Sequence, residues 1–138
     1  MRLMMSLFAA VAMVCLASGT NAQNFSGQWT CSYFSYDAAS QNRIERSYTL
    51  ILYPNGSYEA GGTHVSSLIG VYERWGSVGQ WQIGGMSENT PYVQAGGTAN
   101  FSSGRNEHFV FWGWIRGPNE LASEYSQGTY QNRTSCAR

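Results

Sequence analysis

Phe25-Ser26-Gly27-Gln28-Trp29-Thr30-Cys31 is the stretch on which the fold turns. Read as a strand, it sets Gly27, Trp29 and Cys31 on one face: a small residue, a large aromatic and a thiol. The chain has three cysteines, and Cys136 stands two residues from its end. A Cys31–Cys136 bridge would sew the first strand to the last, as a closed barrel or a tight sandwich requires.

Ahead of that stretch, Met1-Arg2-Leu3 carries one positive charge. Leu7 to Ala17 is an apolar run too short to span a bilayer, and Ser18-Gly19-Thr20-Asn21-Ala22 follows it. This is the pattern of a secretory signal peptide, with Thr20 and Ala22 as the small residues before the cut. Residues 1–22 are read as a removed leader and residues 23–138 as one domain. Cys15 leaves with the leader; as a lipoprotein cysteine it lacks the leucine and the small residue usual before it. The expected location is secreted or periplasmic. There the remaining cysteines pair, closing a loop of about one hundred residues that the chain-entropy model values at ~4.7 kcal/mol. The other reading is two free thiols, although neither lies in a Cys-x-x-Cys or a metal-ligand spacing.

Past residue 22 there are seven arginines, eight acidic residues and no lysine. So even a balance speaks against nucleic acid or anionic membrane as partner. No stretch of the domain is apolar for long enough to make a membrane span.

The core must be aromatic, because five Trp, nine Tyr and six Phe stand in a chain of 138 residues that also holds sixteen glycines. Aromatics suit a pleated surface, and glycine at that density interrupts helices. Ser47 to Tyr53 alternates, with Tyr48, Leu50 and Leu52 on one face. Pro54-Asn55-Gly56 then separates it from Ser57-Tyr58-Glu59-Ala60, which predicts a two-residue hairpin turn with Gly56 at positive φ. Gly61-Gly62 ends or bulges that strand, Ser67 to Trp75 is a further strand, and Gly76-Ser77-Val78-Gly79 reads as a turn. Gln80 to Ile83, Pro91 to Ala95 and a weaker Thr98 to Ser102 follow. Glu107 to Arg116 is the strongest run, with Phe109, Phe111, Gly113 and Ile115 facing one way and Val110, Trp112 and Trp114 the other. Leu121 to Ser126 and Gly128 to Cys136 complete the set. The expected fold is all-β, a single antiparallel up-and-down barrel of about eight strands, closed by the first-to-last-strand disulfide.

Gly27-x-Trp29 on the first strand of a small exported β protein resembles the opening of the calycins, the lipocalin and avidin group of up-and-down barrels. Asn55-Gly56-Ser57-Tyr58 is similar to their hairpin between the second and third strands. The resemblance implies a lipocalin-like barrel in which a last-strand arginine, Arg133 by position, packs over Trp29. Avidin's polar ligand set is not reproduced, and Cys31 stands where an avidin carries a ligand-contacting polar residue. Some periplasmic protease inhibitors open a similar small barrel with Gly-x-Trp.

Chemistry is sparsely signalled. His64 and His108 read as a satisfied or surface pair rather than as ligands, and no metal site is expected. Asp37 is the only aspartate, and no nucleophile elbow occurs. Glu120 and Glu124 share a face and read as solvated surface. No catalytic residue, enzyme activity or cofactor is expected. The aromatics Trp29, Tyr33, Tyr72, Trp81, Trp112 and Trp114 are the candidate ligand-binding set, as linings of a barrel cavity; the competing reading is that they fill the core. Two functions follow. The first is an exported binding protein holding a small apolar or amphipathic molecule in the barrel. The second is a protein-interaction module, such as an enzyme inhibitor or immunity-type protein. An open cavity marks the first, and a filled core with an exposed aromatic patch marks the second.

Overall fold

The computed structural model describes residues 24–68, 70–85 and 91–138. The leader, its cleavage position and Cys15 lie outside the described residues.

Eight strands run in sequence: β1 (Gly27–Asp37), β2 (Asn42–Leu52), β3 (Ser57–Ser66), β4 (Val71–Gly84), β5 (Tyr92–Phe101), β6 (Asn106–Gly117), β7 (Glu120–Gln127) and β8 (Tyr130–Ala137). Each is antiparallel to the next, and β8 returns to β1, so the barrel is closed in up-and-down order. Cys31 and Cys136 are direct partners in the β1–β8 register and are bonded, with Cα atoms 4.1 Å apart and 105 residues between them. No helix among the described residues is long and apolar enough to cross a membrane.

Strands β3, β4 and β5 run longer than the glycines suggested. Gly61 and Gly62 lie inside β3, opposite Thr49 and Tyr48. Residues 76–79, expected to turn, lie in the middle of β4, and turn residues stand instead at 67, 68 and 70. The reason is close approach. Gly79 pairs with Gly97 on β5, and the Tyr58 ring lies against both; a Cβ would meet that ring at 2.8 Å from Gly79 and its hydroxyl at 2.7 Å from Gly97. Glycine here lets a bulky inward ring sit flush on a curving wall.

The β2–β3 connection also differs in detail. Gly56 has φ of 88°, as its Asn-Gly position predicts. The loop holds three residues rather than two, because Tyr53 N–H donates to the Ser57 carbonyl at 2.9 Å and Gly56 N–H to the Tyr53 carbonyl at 3.1 Å. Proline at position 54 fits the first central position of a type I turn, and the left-handed glycine after it completes the bulged three-residue form.

The alternation on β6 falls as read: Phe109 and Phe111 are buried inside, and Trp112 and Trp114 look outward. Inside, Trp29, Leu50, Leu52, Trp81, Val93, Phe111, Leu121 and the disulfide pack one half of the barrel. Tyr48, Tyr58, Trp75, Phe101 and Phe109 fill its middle, with Trp75 and Phe109 centroids 5.3 Å apart and Tyr48 and Trp75 at 5.2 Å.

Candidate functional site

The barrel interior has two unlike ends. At the end where β1 begins, Trp29 is fully buried and its indole N–H donates to the Phe25 carbonyl at 3.0 Å. The Arg138 guanidinium lies 4.4 Å from that ring's centroid and donates to the carbonyls of Asn24, Ser26 and Pro118. The arginine over the first-strand tryptophan is therefore Arg138, not Arg133. Register decides this: Arg133 pairs with Phe34, whose side chain points outward, and its guanidinium lies 5.9 Å from the Phe34 ring on the outer wall.

At the other end the inward positions are polar. Arg46 Nε donates to His64 Nδ1 at 2.9 Å, so the second ring nitrogen of His64 carries its proton. Burial, and then the Arg46 charge, hold the His64 pKa below its ordinary value. Arg105 pairs with Glu73 at 2.7 Å and with Glu107, and Arg46 lies 3.5 Å from Glu107. Hydrogen bonds from Ser103 and then Arg105 hold the Glu73 carboxyl below the usual carboxylate range. Tyr33 shares a hydrogen bond of 3.1 Å with the Tyr130 hydroxyl, and burial followed by that bond pushes its phenol up to about 12. Two guanidinium and two carboxylate groups thus cancel in a plug across this mouth.

The six candidate aromatics do not line one cavity. Trp29 and Trp81 belong to the packed core, the latter donating its indole N–H to the Tyr53 carbonyl at 2.8 Å, and Tyr33 belongs to the polar plug. Tyr72, 64 % exposed, Trp112 and Trp114 are on the outer wall, because even-numbered residues of β4 and β6 face away from the core. Tyr92 joins the two tryptophans there, at centroid distances of 5.3 and 5.5 Å, and the tryptophans are 4.4 Å from each other. Tyr92 escaped the sequence reading because its neighbours are set by β5–β6 register, Tyr92 opposite Trp114 and Gln94 opposite Trp112. The polar plug was equally hidden, its members coming from six different strands and a turn.

Beside the outer ring cluster runs a cleft of about 330 Å³, lined by Gln80, Gln82, Gln94, His108 and Val110 among others. His108 is thus an outer-wall residue, and His64 a buried one. Clefts of about 500 and 380 Å³ lie on the outer wall at β1–β2–β3 and at β7–β8.

No protein-family model matches the chain, and no curated protein matches it. Among solved structures it is similar to a de novo designed fluorescence-activating β-barrel, at 15% sequence identity and a TM-score of 0.42, over 85% of this chain and 95% of that one. Identity and score are both too low for that likeness to bear on fold or site.

Proposed function

We propose that this chain is an exported, non-enzymatic binding module of the protein-interaction kind, and that it meets its partner through the outer wall rather than the lumen. The observation that carries this reading is the division of the aromatics. Those inside already pack on one another from Trp29 to Phe101, whereas Tyr92, Trp112 and Trp114 form a separate cluster outside. A small ligand in the lumen would need space that the rings occupy. Trp and Tyr clustered on a surface are the residues that anchor protein interfaces. The leader and the disulfide support export. The interior titratable groups support a non-enzymatic reading, since His64 already accepts from Arg46 and Glu73 is held by Ser103 and Arg105.

A photo-crosslinking residue at Gln94, beside Trp112, tests the reading, with Thr49 on the opposite wall as control. The expected result is capture of a partner protein from Gln94 and not from Thr49, with tryptophan emission unmoved by a panel of small hydrophobic probes. Saturable probe binding that moves the emission, with both crosslinking positions silent, would return the function to the lumen.

A further inference from the structure

Among the described residues the barrel wall is zipped along its strands except in one place. β1 and β2 pair from Gly27↔Leu52 to Asp37↔Asn42, and β7 and β8 pair over the whole of β7. β6 and β7 pair at Trp114↔Ala122, Ile115↔Leu121 and Gly117↔Glu120, and the ladder stops there. The same register continued would set residues 109–113 against 123–127, yet no pairing holds across that stretch. Five residues on each side, roughly 17 Å of strand, leave edges whose backbone donors and acceptors lack a strand partner across the seam. Closing a barrel normally abolishes such edges.

We propose that this seam is a strand-addition site, at which an extended segment of a partner protein pairs with the β6 edge at residues 109–113. The inference rests on the protein-interaction reading above and names its mode. The β7 side is built as a lip: residues 124–127 are all exposed and are held by β8, and Tyr125, which faces inward by alternation, is 50% exposed. The β6 side is built as a floor: its outward Val110 is 60% exposed and its neighbour Trp112 leads into the outer ring cluster.

The geometry selects the occupant. A small apolar molecule offers no row of backbone groups to satisfy an edge, and a second copy of the chain offers only its own β6 and β7 edges, each already paired on its other side to β5 or β8, so it cannot bridge both edges of the seam. The chemistry of the segment follows from the two faces it would join. Its inward side chains must be small, because Phe109, Phe111 and Ser123 behind the seam are already buried, at 4, 2 and 8% exposure. Its outward side chains next to Val110 and Trp112 should be apolar. Across 109–113 and 123–127 the one charged residue is Glu124, so the segment is neutral or carries a single basic residue beside it.

Amide hydrogen exchange in the free protein tests the seam without any variant. The seam-facing amides of 109–113 and 123–127 should exchange roughly 100-fold or more faster than paired amides of β1 and β2; equal protection would overturn the proposal. An acetylated octapeptide alternating valine and alanine, with one arginine, is the probe for occupancy. It should bring saturable protection to the same amides, and a disulfide between Val110→Cys and Ser126→Cys, tying lip to floor, should abolish that protection. No protection by the peptide, or protection that grows with protein concentration alone and so marks a second copy, would overturn strand addition. If Gln94 still captures a partner protein in the stapled chain, strand addition fails while the interaction reading stands; if Gln94 captures nothing even in the unstapled chain, the interaction reading itself fails.

Discussion

The two ends of the barrel interior are closed by opposite means. One is sealed by rings and a covalent bond: Trp29 under Arg138, with the Cys31–Cys136 bridge and Leu50, Leu52 and Leu121 around it. The other is plugged by charges, Arg46 and Arg105 against Glu73 and Glu107, with His64 and the Tyr33–Tyr130 pair beside them. Apolar burial is non-directional and insensitive to pH, so the first end contributes stability. Paired charges recover little beyond their desolvation, so the second end contributes orientation and a dependence on pH. It is also the plugged end toward which the β6–β7 seam opens.

The largest expected effect falls on the sealed end. Replacing both cysteines, Cys31→Ser with Cys136→Ser, should cost about 4.7 kcal/mol on the chain-entropy model, read from denaturant melts. A loss below about 1 kcal/mol would show that backbone pairing alone holds β1 to β8, and the contrast between the ends would weaken.

A smaller effect separates two arginines of the last strand and its end. Arg138→Ala removes a cation over a buried indole together with its hydrogen bonds to Asn24, Ser26 and Pro118, and should cost about 1–2 kcal/mol. Arg133→Ala, on the exposed outer wall over Phe34, should cost well under about 1 kcal/mol. Thermal melts of the two variants decide it; equal losses would mean that the cap on Trp29 is not what seals that end.

The smallest effect belongs to the plug and is read as the shape of a pH profile. His64 and Glu73 have folded-state pKa values below their ordinary 6.5 and 4.5, so the stability they contribute is present above those values and fades as the pH falls through the depressed ones. Tyr33 runs the other way: its contribution is full below pH 10 and is lost as the pH rises to about 12. The melting temperature should therefore fall on both sides, and Glu73→Gln should flatten part of the acid limb. An acid limb identical in that variant would show that the Glu73 carboxylate takes no part.

Much of the frame was legible before any coordinates. Gly27-Gln28-Trp29-Thr30-Cys31 with Cys136 implied first-to-last closure, and the alternation of Phe109 and Phe111 with Trp112 and Trp114 separated the two faces of β6 correctly. Gly56 at positive φ was legible too, because Asn-Gly between two strand runs leaves little else. The glycine pairs were misleading, since glycine serves a turn and a close approach equally well and only Tyr58, arriving from β3, tells Gly79 and Gly97 apart from turn residues.

By itself, then, the sequence determined which side chains share a face and which cysteines meet, since these follow from period-two alternation and from chain order, while the strand number came only to about eight because glycines inside β4 and β5 read as breaks. The tertiary structure decided which face is inside, that Arg138 rather than Arg133 covers Trp29, that Tyr92 joins Trp112 and Trp114, and that Arg46, His64, Glu73, Arg105 and Glu107 converge. Each of these depends on the register between strands. Register is fixed by how bulky residues such as Tyr58 and Trp75 pack across the barrel, a quantity that no single strand contains.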